Sequence, residues 1–269
     1  MDTSWVALRR EATSAGEHLA FGTTVIGRAN YAHDAHYTQA FFALSVGFER
    51  TAKLAVLVDH AIDNHGAFPS EAEVRKYGHD LDKLLRRVDA IARDRGFTTR
   101  LPESEIHRAI VTMLSDFARN ITRYYNLDVV TGASRSTTED PIARWYASVT
   151  TPIIARHLSE RTRNRIERNA RAVAELTDGL TIVHHHAETG EEIREVNAAS
   201  MRTGYTEAAR PWERMYLLQL ARFATQILVE LGYVAQGAGM DVPYFSEIFA
   251  IFNNDDSMLR TRKTWSIYH

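Results

Sequence analysis

The chain has 269 residues, of which 45 % are apolar and 25 % charged, with six prolines and no cysteine. This composition is typical of one large globular domain or two small ones, and it excludes disordered and collagen-like chains. Because 32 basic and 34 acidic side chains give a formal net charge of −2, a protein that coats nucleic acid indiscriminately is excluded as well.

Three further absences bear on the compartment. Without cysteine there is neither a disulfide framework nor a thiolate site. The apolar runs are shorter than the roughly 20 residues that a membrane span needs, and the N-terminal segment lacks the pattern of a signal peptide. The sequence therefore predicts a cytoplasmic protein with no membrane association.

Apolar residues at three- and four-residue spacing predict two helices at the start of the chain. The first covers about residues 3–19 and ends near Gly22. The second runs from about His33 to His60, ahead of the helix-breaking sequence Asn64-His65-Gly66.

Capping residues mark the helices that follow. Ser70, with Glu73 three residues later, forms a capping box for a short helix. Asp80 is placed to cap a long amphipathic helix, and Ser104 to cap another after Pro102. The first half of the chain is thus predicted to be entirely helical.

The segment 131–140 is polar and is the best candidate for a linker, which divides the chain into subdomains at 1–135 and 141–269. Beyond it, one helix is predicted from Pro141 to about Leu176 with a bend near Pro152. Alternating residues over 180–197 predict a β-hairpin. The predicted fold class is therefore mainly α, a helical bundle with a second helical subdomain that contains one hairpin.

Pro211 is predicted to open a further strong helix, which runs from Trp212 to Val234. Two shorter apolar segments follow it.

The hairpin contains the run His184-His185-His186. On a strand, His184 and His186 share one face and could offer two imidazoles to a metal ion, with Glu191 or Glu192 reaching across. A third ligand is not identifiable, so the preferred interpretation is an exposed polar hairpin. The sequence predicts no metal and no cofactor.

Another candidate binding feature is a cationic stripe on a predicted helix. Arg161, Arg165 and Arg168 fall on this stripe at i, i+4 and i+7. Such a stripe could neutralise the phosphates of a nucleic acid backbone. The alternative is a solvated helix face, packed on the acidic residues of the hairpin.

Two segments of the first half carry a more specific pattern. The second helix contains Ala40, Glu49 and Lys53, and Gly78-His79-Asp80-Leu81 starts the next long helix. Glu49 precedes Lys53 by four residues, the favourable order for a helical ion pair. In their order and spacing, these residues within about 33–127 resemble the HEPN domain superfamily.

The resemblance implies an all-helical, dimeric bundle of the kind found in RNases of toxin–antitoxin and phage-defence systems. Active members carry Arg, commonly followed by Asn, and a His separated from the Arg by four to six residues, on the last helix of the bundle. Here Arg119-Asn120 matches the start, whereas Tyr124 stands in place of the His. A phenol with a pKa near 10 is a poorer proton carrier at neutral pH than an imidazole near 6.5.

If the protein cleaves RNA, Arg119 is expected to stabilise the phosphate and Asn120 to orient it. The general base then has to be another residue, for which His33, His36 and His79 are the candidates.

Arg119 and Arg123 could hold a phosphate while Tyr124 or Tyr125 stacks on a base. Equally, the tyrosines could be core residues and the arginines partners of Asp116 and Asp128.

The sequence thus predicts a homodimeric HEPN-like protein that binds RNA or cleaves it without a metal ion, in phage defence or a toxin–antitoxin system. The alternative is a non-catalytic dimerising module that binds a protein or a small molecule.

Overall fold

The computed structural model describes residues 3–133, 139–177 and 180–268. The predicted mainly α-helical fold is confirmed, because helices hold most of these residues and the β structure is one two-stranded sheet. In chain order the elements are α1 (Thr3–Ile26), α2 (Ala35–Asp63), α3 (Glu71–Lys76), α4 (Leu81–Asp94), α5 (Glu105–Ala118), α6 (Tyr125–Thr131), α7 (Pro141–Trp145), α8 (Thr151–His157), α9 (Glu160–Thr177), β1 (His185–His186), β2 (Glu192–Ile193), α10 (Val196–Gly237), α11 (Phe245–Phe249) and α12 (Asp256–Thr261). Tyr31–His33 and Ala250–Phe252 form 3-10 turns, and Tyr146–Thr150 is a π-helical turn.

The prediction that α1 ends near Gly22 was wrong, because the helix continues to Ile26. Gly22 serves the packing of α1 against α2 instead. A Cβ atom at this position would lie 2.6 Å from Leu44 Cγ and 3.0 Å from the Leu44 backbone nitrogen. The glycine therefore allows the two long helices to approach closely.

The helix predicted from Pro141 to Leu176 is interrupted. The chain passes through α7, the π-helical turn and α8, which ends at His157, and Leu158 is extended. The Ser159 hydroxyl then accepts a hydrogen bond from the Thr162 N–H at 3.3 Å, so Ser159 caps the start of α9.

The start predicted at Pro211 was also wrong. Pro211 lies inside α10, a helix of 42 residues. Proline removes one helical N–H, so the carbonyl of Glu207 loses its donor. Because α10 packs on α9 and α2, tertiary contacts offset that loss and the helix continues past Pro211.

The core joins the two halves of the chain. Phe41 and Phe117 from the first half and Trp145 and Leu217 from the second belong to one cluster of buried side chains. The rings of Phe41 and Trp145 have centroids 5.4 Å apart. Residues 134–138 of the predicted linker lie outside the described residues, and the division into two subdomains stays a prediction.

The predicted hairpin is confirmed, with two short antiparallel strands in which His185 pairs with Ile193. Gly190 adopts φ +84° in its turn. Within the described ranges, no helix combines the length and the apolar character that crossing a membrane would require.

Candidate functional site

The start of α4 is held by Asp80 and Ser115. Asp80 accepts a hydrogen bond from the Lys83 N–H at 3.2 Å and so caps the helix. The Ser115 hydroxyl, on α5, accepts from the Leu81 N–H at 3.0 Å and donates to Asp80 at 3.3 Å. The beginning of α4 and the last turn of α5 are therefore joined by side-chain hydrogen bonds.

His79, one residue before this cap, contacts α2. Its Nδ1 lies 3.0 Å from Glu49 Oε1, and the same oxygen accepts from Lys53 Nζ at 2.7 Å. Because a carboxylate only accepts hydrogen bonds, Nδ1 carries the proton in this contact. In the neutral ring Nε2 is then a proton acceptor, and the His79 side chain is 65 % exposed.

Arg119 completes the group from the end of α5. Its guanidinium lies 3.5 Å from Asp80 Oδ2, and the side chain is 46 % exposed. The next residue, Asn120, adopts the left-handed conformation with φ +61° and is exposed. We call Glu49, Lys53, His79, Asp80 and Arg119 the His79 cluster.

The charge of Asp80 is stabilised by its neighbours. Burial acts to raise the pKa of this carboxyl, but the hydrogen bond from Lys83 N–H, the Lys83 charge, the Ser115 hydroxyl and Arg119 together outweigh it and lower the pKa. Asp80 is thus an anion at neutral pH and holds the arginine in place.

Arg123 and Tyr124 lie apart from this group. The Arg123 guanidinium packs over the rings of Phe42 and Phe117, at 5.1 and 5.5 Å from their centroids. Tyr124 is half exposed and precedes α6. Among the described residues, no hydrogen bond or ring contact joins either side chain to the His79 cluster. Because half of the Tyr124 side chain is exposed, the alternative in which it is a core residue was wrong.

The arginine stripe on α9 is solvent-exposed. Arg161, Arg165 and Arg168 form no ion pair with any side chain in the described part of the chain. The alternative in which this stripe pairs with the acidic residues of the hairpin is not observed in the described residues. Glu188 pairs with Arg202 instead, and Glu192 pairs with Arg194.

The other histidines occupy separate places. The rings of His33 and His36 stack with centroids 5.8 Å apart at the start of α2. His184 contacts Glu192 at 3.1 Å, and its ring centroid is 6.1 Å from that of His186. In the described ranges, no group of three or more His, Asp or Glu side chains is arranged to hold a metal ion.

Comparison with known proteins assigns this chain to no family. No family model, no curated protein and no solved structure matches it. The functional argument therefore depends on the residues and their geometry.

The sequence analysis missed a second polar cluster, which is buried and lies between α10, the π-helical turn and the start of α2. Glu213 of α10 is fully enclosed and accepts a hydrogen bond from the Thr150 hydroxyl of the π-helical turn. Burial raises the pKa of Glu213 to about 7. Nearby, the buried carboxylate of Glu188 accepts from Arg202 Nε at 2.7 Å and from the Tyr37 hydroxyl at 3.5 Å.

A signal for this cluster is present but weak. Glu213 and Leu217 share a helix face through their i, i+4 spacing, so an acidic residue stands on a face that the sequence marks as apolar. That pattern alone does not separate a buried carboxylate from one at the edge of the stripe.

Proposed function

We propose that this protein binds RNA and cleaves it without a metal ion, with the His79 cluster as its active site. The observation that carries the proposal is that Arg119 pairs with Asp80, the residue that directly follows His79, while Glu49 holds the His79 ring. The His79 and Arg119 side chains are 65 % and 46 % exposed, and they offer the base and the cation that phosphate ester cleavage needs.

Three members of the cluster, His79, Glu49 and Arg119, have a direct role in that reaction. His79 Nε2 takes the proton from the ribose 2′-hydroxyl, and Glu49 orients the ring and stabilises the imidazolium that forms. The 2′-oxygen then bonds to phosphorus as the bond to the 5′-oxygen breaks, and water supplies the proton to that leaving group. Arg119 stabilises the charge on the pentacovalent phosphorus.

The surroundings favour an anionic substrate. Lys83 projects beside Asp80, 81 % exposed, and Lys53 is ion-paired to Glu49. Exposed cations near a reacting group attract a phosphate backbone and displace its counterions. In the same proposal, Arg161 and Arg168 on α9 add a second phosphate-binding surface, and phage defence or a toxin–antitoxin system is the context that the HEPN resemblance implies.

The test is cleavage of a short single-stranded RNA in EDTA. We expect fragments that end in a 2′,3′-cyclic phosphate, and we expect a 2′-deoxy substitution to block cleavage at that nucleotide. Arg119→Ala should lower the rate at least about 100-fold, within the range for loss of one group that stabilises transition-state charge. Arg10→Ala, at an exposed position of α1, is the matched control and should leave the rate unchanged. Intact RNA, or cleavage that ignores the 2′-deoxy position, would contradict the proposal.

A second candidate function is a dimerising module without catalysis. Phe21 and Phe42, 51 % and 46 % exposed, line one groove between α1 and α2. Exposed aromatic side chains side by side are typical of an interface. Sedimentation equilibrium tests it: a dimer that the double change Phe21→Ser with Phe42→Ser converts to monomer supports this surface, and a monomeric wild-type protein excludes it.

A further inference from the structure

A cleft of about 860 Å³ lies between α9, the hairpin and the N-terminal half of α10. The two helices approach most closely beside it, where a Cβ at Gly204 would lie 2.6 Å from Ile166 Cγ2. The cleft follows the helices from this point towards the end of α9 and the start of α10. Its volume falls in the range of about 300–1,000 Å³ that is usual for small-molecule sites.

The walls of the cleft combine apolar and polar side chains. Ala170 and Val173 come from α9, Val183 from the segment before β1, and Ala199 from α10. Tyr31 contributes an aromatic ring. Its hydroxyl is already engaged, since it donates to the Ala199 carbonyl at 3.3 Å and accepts from Thr203 at 3.3 Å.

Polar side chains make up nearly half of the lining. Arg165, Asn169 and Ser200 make no hydrogen bond or ion pair with other described residues. His185 contacts the Tyr31 ring edge-on, with centroids 5.4 Å apart. The acidic residue of the lining is Glu207, and it forms no ion pair with Arg165 among the described residues.

Charge and exposure indicate what such a cleft accommodates. Arg161 and Arg168 flank Arg165 on α9 and are likewise unpaired in the described ranges, so this side of the cleft is positive in spite of Glu207. Near the lining residues Thr181 and Val183, Ile182 is 96 % exposed. An exposed aliphatic side chain beside the apolar residues of the cleft favours a ligand with an apolar body.

We propose that this cleft binds a small amphiphilic anion, with an apolar body along Val173, Val183 and Tyr31 and one carboxylate or phosphate head at Arg165. Nothing in this proposal depends on RNA cleavage by the His79 cluster. It assigns a ligand to the second half of the chain.

The test uses 8-anilinonaphthalene-1-sulfonate as a fluorescent probe and decanoate as the competitor. Decanoate is expected to displace the probe from one saturable site in the full-length protein. Arg165→Gln should weaken decanoate about tenfold, since a charge-assisted hydrogen bond is lost. Glu207→Gln should leave the affinity unchanged or raise it, because it removes a negative charge from the same cleft.

Two variants and one ligand serve as controls. Ser200→Trp, which fills the cleft, should abolish the displaceable signal while the circular dichroism spectrum stays that of wild type. Phe21→Ser, in the groove between α1 and α2, should leave the displaceable signal of the cleft unchanged. Displacement by methyl decanoate as strong as by decanoate would overturn the anionic head, and equal affinities in wild type, Arg165→Gln and Ser200→Trp would overturn the site.

Discussion

Glu213 shows most clearly how burial changes the pKa of a single side chain. Its carboxyl lies in the core beside the π-helical turn, where the Thr150 hydroxyl donates to it. That hydrogen bond favours the charged form, but the loss of water outweighs it and raises the pKa from 4.5 to about 7. The folded protein therefore binds a proton at this position more tightly than the unfolded chain does.

This difference makes stability depend on pH with a defined sign. Between the unfolded pKa of 4.5 and the folded value of about 7, the folded state holds the proton and the unfolded state releases it. The free energy of unfolding therefore falls as the pH rises through this window, by about 2 to 3 kcal/mol between pH 5 and pH 8. Glu213→Gln should remove that part of the decrease.

Urea unfolding of both proteins at pH 5 and pH 8 measures the effect. Glu207→Gln, at an exposed position of the same helix, is the control for the chemical change itself. If the decrease in the free energy of unfolding is the same in wild type and Glu213→Gln, the carboxyl of Glu213 does not titrate as described.

Asp80 is another single residue that affects the stability of the fold, in this case through its hydrogen bonds. Asp80→Ala removes the acceptor for the Lys83 N–H and for the Ser115 hydroxyl, so we expect the free energy of unfolding to fall by about 1 to 2 kcal/mol. Asp80→Asn keeps a side-chain oxygen for the cap and should lose less. Thermal unfolding monitored by circular dichroism compares the three proteins, and an Ala variant as stable as wild type would show that the cap contributes nothing.

At the scale of elements, the sequence predicts those helix boundaries that are determined by interactions within a few residues of the boundary. Ser70, Asp80 and Ser104 each cap the helix expected to follow, because a cap acts within three residues of itself. Gly22 and Pro211 were misread as helix boundaries. Contacts with Leu44 in one case, and with α9 and α2 in the other, determine the local structure there, and those partners are distant in sequence.

The same distinction holds for the candidate site. His79 and Arg119 could be selected from the sequence through a resemblance, but the contact of Arg119 with Asp80 depends on the way Ser115 and Asp80 join α5 to α4. The burial of Glu213 depends on the π-helical turn, which has no local signature in the sequence.

The close contact of α1 with α2 gives a prediction for an element. Gly22→Ala places a methyl group 2.6 Å from Leu44 Cγ, so the helices must separate and the free energy of unfolding should fall by about 1 to 3 kcal/mol. Gly237→Ala is the matched control, since nothing lies within 4 Å of its Cβ position and alanine favours the helix. Urea unfolding measures both, and a Gly22→Ala variant as stable as the control would contradict the close approach.

At the scale of the molecule, the shared core favours one cooperative unit. Side chains from residues before and after the predicted linker pack in a single cluster, in which Trp145 contacts Phe41. We expect one calorimetric unfolding transition whose van't Hoff and calorimetric enthalpies agree. Two separate transitions would instead support the division at 131–140.

The proposed function also depends on the whole molecule, because the His79 cluster combines residues from α2, from the end of α5 and from the segment that leads into α4. The most direct measurement of the central claim is the rate of cleavage of a single-stranded RNA in EDTA by wild type, His79→Ala and His184→Ala. We predict a loss of at least about 100-fold for His79→Ala, as for removal of a general base, and no change for His184→Ala, an exposed histidine of the hairpin. Absence of cleavage by the wild-type protein, or equal rates for wild type and His79→Ala, would contradict it.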